Sequence, residues 1–523
     1  MTISGEAIIG GAHERGTAGS FKAWDPTRRD YLEPAFHMVD ADQIDRACRL
    51  AGEAFDVFRA TSDEERARFL DTVAEQIMLL GEELIERAML ETGLPRLRLE
   101  GERGRTCGQL RMFAELLREG SWRDARLDTP LPERTPPRPD LRYHLIGVGP
   151  VAVFAASNFP LAFSVAGGDT ASSFAAGCPV VLKAHSAHPG TSELVARAVS
   201  AAVRQCELPA GVFSLLTGTG SRIGQALVGH PAIQAVGFTG SRGGGTALMA
   251  VAAARRQPIP VYAEMSSINP LVLMPHALAH RAEEIGKGFA ASLVLGVGQF
   301  CTNPGLVLAI DGPGLDTFCA AASAALGATE AAVMLNENIA QSYRKGVDAL
   351  AANEAVATLA RLEHGEGRGA AALFRVSAEA FRERQELHEE VFGPASLVVV
   401  CRDAAELRAV ADMLEGQLTA TLQLDPEDHA DAAALLPLLE RKVGRILANG
   451  FPTGVEVSTA MVHGGPFPAT ADGRSTSVGT GAIARFLRPV CYQNLPQGLL
   501  PEALRDGNPR GIWRRRDGAL TKE

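Results

Sequence analysis

The octapeptide GQFCTNPG, residues 298–305, sets Cys301 among small and polar residues directly after the apolar run FAASLVLGV. A cysteine kept for packing belongs inside such a run. This one follows it, where the chain can turn and present sulfur to a reactant. Free cysteine acts as a small hydrophobe more often than as a reagent, so the residue alone does not establish chemistry. Two glycine clusters point to phosphate instead. GTGSRIG carries Gly218, Gly220 and Gly224 after an apolar strand, with one residue more before the third glycine than the dinucleotide fingerprint has. FTGSRGGG, residues 238–245, also follows a strand and opens a helix, where free backbone N–H groups and missing side chains suit a pyrophosphate.

Composition narrows the classes. With 523 residues, 46% of them hydrophobic, the chain can bury a large core and divides into two or three domains. Its net charge of -10, with no basic block, argues against a nucleic-acid partner. The eight cysteines are dispersed, with no CxxC pair and no close Cys/His cluster, so neither a disulfide framework nor a metal site is expected. A reducing cytoplasm is the natural compartment. The N-terminus lacks the basic-then-apolar pattern of a secretory signal, and no apolar run approaches the ~20 residues of a membrane span. A soluble protein with no membrane partner is expected.

The elements that must position these residues are legible in outline. Residues 1–40 read as strands and turns, and 41–94 as two or three amphipathic helices, from the spacing of Ile44, Ala47, Leu50, Phe55 and Phe58. TPLPERTPPRPD, residues 129–140, is a proline-rich connection. Apolar strands then alternate with helices: VGPVAVFAA before a helix over 163–176, PVVLKA before one near 189–204, GVFSLLTG before SRIGQALVGH, and QAVGFTG before GGGTALMAVAAARR. That alternation predicts a parallel α/β sheet covered on both faces. A second α/β region runs from about 260 to 449, with strands at NPLVLM, GLVLAI, ASLVVV and GRILAN, and the terminal WRRRDGALTKE reads as frayed.

Five segments together resemble the aldehyde dehydrogenase superfamily: ASNFPLAFSVAGGDTASSFAAGCPVVLKAH, AVGFTGSRGGG, AEMSSINPLV, GQFCTNPG and HEEVFGP, in the family's order. The resemblance implies an α/β fold with a cofactor-binding domain over 1–262, a catalytic domain over 263–450 and a return segment over 451–523. The segment 130–150 and a strand near 483–495 would serve oligomerisation, giving a homodimer or homotetramer. It implies Cys301 as nucleophile toward a small-molecule aldehyde, Asn158 with the Cys301 amide as oxyanion donors, and Glu264 as general base. For a nicotinamide cofactor it implies Lys183 and Glu390 at the two riboses, with Ser186, Gly240, Ser241 and Phe392 lining the site. Two departures stand out. Thirty-seven residues separate Glu264 from Cys301, slightly more than is usual, and EMSSINP replaces the glycine pair that commonly follows the glutamate.

The tail MVHGGPFPATADGRSTSVGTGAIARFLRPVCYQNLP resembles the branch that oxidises 2-oxoglutarate semialdehyde (2,5-dioxovalerate). The branch implies NADP, with NAD also possible. Ser186 agrees, because NAD-specific members often carry a glutamate there that would repel a 2′-phosphate; His185 or Arg222 can add hydrogen bonds. Phe163 and Phe467 match positions along the family's aldehyde tunnel. A keto-acid substrate needs a cationic or amide donor near the mouth, for which Arg111, Arg474 and His463 are candidates. Three alternatives share parts of this pattern. A long-chain aldehyde dehydrogenase would have an apolar tunnel, a CoA-acylating enzyme should lack Glu264, and a silent nucleotide-binding scaffold should have lost part of the Cys301, Asn158 and Glu264 set.

Overall fold

The computed structural model describes residues 3–523. Two seven-stranded sheets form its frame. The first runs Val261–Glu264, Ala235–Thr239, Val151–Phe154, Val180–Lys183, Phe213–Leu216, Ala7–Ile9, Ala12–Glu14, and its first five strands are parallel. Chain order reverses between Val151–Phe154 and Ala235–Thr239, the switch point where open α/β sheets bind ligands beyond their carboxyl ends. Asn158, Lys183, Gly240 and Glu264 all stand at or just beyond those ends.

The second sheet runs Ala357–Arg361, Ala372–Ser377, Ala395–Cys401, Leu306–Ile310, Pro270–Leu273, Thr419–Gln423, Arg445–Ala448, antiparallel only at its first pair. It is buried on both faces. Val272, Leu308, Phe374 and Val399 pack on one side, while Leu271, Leu273, Val307 and Val398 pack on the other, as the period of two requires. Cys301 and Glu390 lie in the loops entering two of its central strands. Only residues 265–269 join Glu264, at the end of one sheet, to Pro270, at the start of the other. That short join brings the carboxyl ends of the first sheet against the amino ends of the second.

Where local sequence and structure differ, the reasons are physical. The helix expected over 163–176 begins only at Gly168, because the chain doubles back over residues 160–167. A side chain at Gly167 would meet the Ala162 carbonyl at 2.4 Å. The extra length between Glu264 and Cys301 is helix Pro275–Val294, bent at Arg281, followed by a turn with Gly296 and Val297 at positive φ. A further helix, Arg96–Glu119, follows the three in 41–92. The terminus is not frayed. Arg514–Arg516 and Ala519–Thr521 form a hairpin in a five-stranded sheet with Arg126–Asp128, Leu141–Gly147 and Leu487–Gln493. Asn508 ties the hairpin down by donating to the carbonyls of Ile512 and Lys522, each at 2.8 Å. No helix among the described residues is long and apolar enough to cross a membrane.

Candidate active site

A cleft of about 1020 Å³ lies where the two sheets meet, at the upper end of the range for cofactor pockets. Asn158, Ser186, Gly240, Ser241, Glu390 and Phe392 line it, and Cys301 and Glu264 stand in its wall. Ser241 starts helix Arg242–Ala253 by accepting from the Gly244 N–H at 3.2 Å, which leaves other first-turn N–H groups free for an anion. The second glycine cluster therefore meets the cleft, whereas Gly224 of the first is a packing residue against Phe154 and Leu248. Lys183 lies just before the lining residues His185 and Ser186, and burial lowers its ammonium to about 8. The residues present fit a nicotinamide dinucleotide: a helix start with free N–H groups that suits a pyrophosphate, serines lining the cleft, and Glu390 near the thiol.

Cys301 is one corner of a compact three-residue cluster. The thiol, the Glu264 carboxylate and the His463 ring nitrogen lie within 4.8 Å of one another. His463 Nε2 is 2.8 Å from Glu264 Oε1 and 3.4 Å from Cys301 Sγ, and Ser477 Oγ donates to Glu264 Oε2 at 2.8 Å. An ionised carboxylate only accepts, so Nε2 carries a proton toward Glu264. Burial works to raise the Glu264 carboxyl, but the charge and hydrogen bond of His463, with donation from Ser477 and Cys301, hold it below its ordinary value. The Cys301 thiol is pushed well up by burial and then by the neighbouring Glu264 charge. Burial also raises Glu390, to about 7, although Ser266 and the Ser267 backbone donate to it.

The loop carrying the thiol is held from below by EMSSINP. Asn269, left-handed at φ 47°, donates Nδ2 to the carbonyls of Cys301 at 2.8 Å and Asn303 at 2.9 Å. Its Oδ1 accepts from Ser267 at 2.9 Å and Thr419 at 3.1 Å. Asn269 is thus the bracket of the nucleophile loop, and Ser267, one of the polar residues after Glu264, steadies it. Asn158 Nδ2 donates to the Gln299 carbonyl at 3.1 Å, which leaves its second N–H for an oxyanion.

Four expectations are corrected. Arg111 is on the exposed side of its helix, and the arginines of that helix that turn toward the site are Arg98 and Arg105. Arg474 is 92% exposed and pairs with Asp472. Phe467 is 51% exposed beneath the Arg242 guanidinium, 5.6 Å from its ring, and does not line the cleft that holds the thiol. His463, expected as a donor to the substrate carboxylate, is instead buried with its Nε2 engaged by Glu264. Phe163 does lie near the chemistry, 6.2 Å from the His463 ring. Sequence reasoning missed the roles of Ser477 and Asn269, and also the N-terminal hairpin, whose Lys22, Trp24, Arg29 and Tyr31 wall the cleft.

A dinucleotide cleft ending on a thiol, a carboxylate and a side-chain amide defines a nicotinamide-dependent dehydrogenase that works through a covalent cysteine. Residues 14–467 match the aldehyde dehydrogenase family, and the chain belongs to it. Alpha-ketoglutaric semialdehyde dehydrogenase 2 of Azospirillum brasilense is 58% identical over 522 residues, covering 99% of each chain. Alpha-ketoglutaric semialdehyde dehydrogenase of Acinetobacter baylyi is 50% identical over 529 residues, covering 99% of this chain and 98% of that one. Among solved structures, a 3,6-anhydro-L-galactose dehydrogenase in complex with NAP superposes with a TM-score of 0.80 at 22% identity, over 93% of this chain and 99% of that one.

Proposed function

We propose that this protein oxidises 2-oxoglutarate semialdehyde (2,5-dioxopentanoate) to 2-oxoglutarate through a thioester on Cys301. What carries the substrate assignment is the full-length similarity to two alpha-ketoglutaric semialdehyde dehydrogenases. The mechanism rests on the Cys301, His463 and Glu264 cluster.

The Cys301 thiol gives up its proton to solvent in the cleft, and the thiolate attacks the aldehyde carbon. Asn158 and the Cys301 backbone N–H are the donors for the resulting oxyanion. A bound nicotinamide dinucleotide supplies the acceptor for the hydride lost as thiohemiacetal becomes thioester. Glu264, ionised, then takes a proton from water as that water attacks the thioester carbon, and passes the proton to the departing Cys301 thiolate as the acid is released. Its position beside the thiol and in the wall of the cleft supports that role.

NADP is the cofactor we favour. A cavity of about 470 Å³ adjoining the cleft brings Lys22 and Tyr31 beside Ser186 and Thr219, which suits a 2′-phosphate better than a bare hydroxyl. We read residues 1–262 as cofactor-binding and 263–450 as catalytic, with 451–523 returning across both. Strand Leu487–Gln493 is the outer edge of its sheet and largely exposed, which supports pairing with a second copy. The test is the initial rate of cofactor reduction with 2,5-dioxopentanoate against a long-chain aldehyde, each with NADP and with NAD. A kcat/KM preference of ~100-fold for the keto-acid aldehyde is expected, worth about 2.7 kcal/mol of transition-state binding. A long-chain preference would overturn the substrate, and Cys301→Ala that still turns over would overturn the mechanism.

A further inference from the structure

Two guanidinium groups converge on one loop, residues 452–455. Arg105, on helix Arg96–Glu119, donates Nη1 to the Val455 carbonyl at 2.8 Å. Arg445, opening strand Arg445–Ala448, donates Nη1 to Gly454 at 3.0 Å and Nη2 to Pro452 at 2.7 Å. The Arg105 guanidinium lies 5.7 Å from the Phe163 ring, which is itself 6.2 Å from the ring of His463, the residue that touches Sγ. Both guanidinium groups are close enough to the Cys301 sulfur to act on it electrostatically.

Neither charge is neutralised by a direct ion pair among the described residues. Of the acids acting on Arg105, Glu102 is engaged by Arg98 at 3.6 Å and by the N–H groups of Leu161 and Ala162, while Glu456 is exposed. Arg445 Nε is buried without a hydrogen-bond partner. Two partly buried cations fixed only by neutral carbonyls leave a site short of an anion. The loop carbonyls fix each fork while leaving N–H groups over, as carboxylate recognition needs.

We infer that Arg105 and Arg445 hold the carboxylate at the far end of the substrate and so set its specificity, an inference that rests on the function proposed above. In extended 2,5-dioxopentanoate the carboxylate carbon is roughly 5 Å from the aldehyde carbon, taking single bonds of about 1.5 Å. Its counter-charge therefore belongs within reach of the thiol, on the side of the Phe163 and His463 rings where Arg105 stands and where the shared loop brings Arg445, and not at the surface with Arg111 and Arg474.

The experiment compares kcat/KM for 2,5-dioxopentanoate and for pentanal, an uncharged aldehyde of equal length, in unmodified enzyme, Arg105→Gln and Arg445→Gln. The ratio between substrates is the readout, because general damage to the thiol or the fold lowers both rates together. It is expected to fall about 10- to 100-fold in each variant, with partial rescue in Arg105→Lys. A ratio that survives both substitutions overturns the inference. Unmodified enzyme with no preference for the keto acid would overturn the function instead, before any variant is made. A measurement that needs no variant is inhibition of pentanal oxidation by 2-oxoglutarate and by its 1-methyl ester. Binding at least ~10-fold tighter for the free acid is expected, and equal inhibition overturns the cationic site.

Discussion

His463 Nε2 and Glu264 Oε1 lie 2.8 Å apart although 199 residues separate them in the chain. The pair is almost fully buried, and the thiol stands beside it. Its effect is to keep the catalytic carboxylate ionised where burial would otherwise protonate it. Replacing His463 by Asn removes that support, so the Glu264 carboxyl should rise. The acid limb of the kcat/KM profile is then expected to move up by about one pH unit or more, with activity recovering at alkaline pH. An unshifted profile would show that His463 only fills space.

Glu264→Gln separates two effects of one carboxylate. Its charge raises the Cys301 thiol, second only to burial, so removing the charge makes the thiol easier to ionise. Alkylation by iodoacetamide at pH 7 should therefore be faster in the variant, and a first burst of reduced cofactor should survive. Steady turnover should drop about 10²- to 10⁴-fold, because the thioester loses its general base. Loss of the burst would assign Glu264 mainly to thiol activation.

How far the sequence discloses this site depends on whether the signal is local. Cys301, Asn158, Gly240, Ser241 and Glu390 each lie in a loop next to a β-branched apolar strand, so motif and strand register together carry them to the cleft. His463 has no such mark. It sits in a glycine-rich stretch without periodicity, and only the fold brings it to Glu264. Arg105 was legible in principle. Arg98, Glu102 and Arg105 follow at intervals of four and three, on one helical face, whereas Arg111 is about 120° away from Arg105 by the period of 3.6. Phe467 misled because the match in sequence carries no information on whether Arg242 covers the ring. The terminal hairpin escaped notice because its strands are three residues each and depend on Asn508 and on pairing with Arg126–Asp128.

Asn269 offers a test of how the nucleophile loop is held. It is 1% exposed, its amide spans the carbonyls of Cys301 and Asn303, and its backbone is left-handed, which Asn tolerates better than Ala. Asn269→Ala should cost about 2–4 kcal/mol from unsatisfied carbonyls and backbone strain. Because one of those carbonyls belongs to the nucleophile, kcat should fall at least ~10-fold in enzyme that is still folded at the assay temperature. Urea unfolding with initial rates checks both parts. A stability loss with kcat intact would make Asn269 a framework residue only.

Glu390 gives a prediction in which stability, not rate, depends on pH. Burial raises its carboxyl from 4.5 to about 7 in the folded protein. The folded state thus binds this proton more tightly than the unfolded chain does. The stabilising contribution is fully present below about 4.5 and is lost as pH rises to about 7, a difference of about 3 kcal/mol across the window. Glu390→Gln stays neutral throughout and escapes the loss. Without cofactor, its stability relative to the unmodified protein should therefore widen by about 2–3 kcal/mol between pH 5 and pH 8, read from urea unfolding at each pH. A constant gap would mean that Glu390 is ionised and paired across that range. NADP added at saturation should stabilise the unmodified protein more than Glu390→Gln if the carboxylate is a donor-facing ligand of the ribose, which ties the buried charge to a binding role.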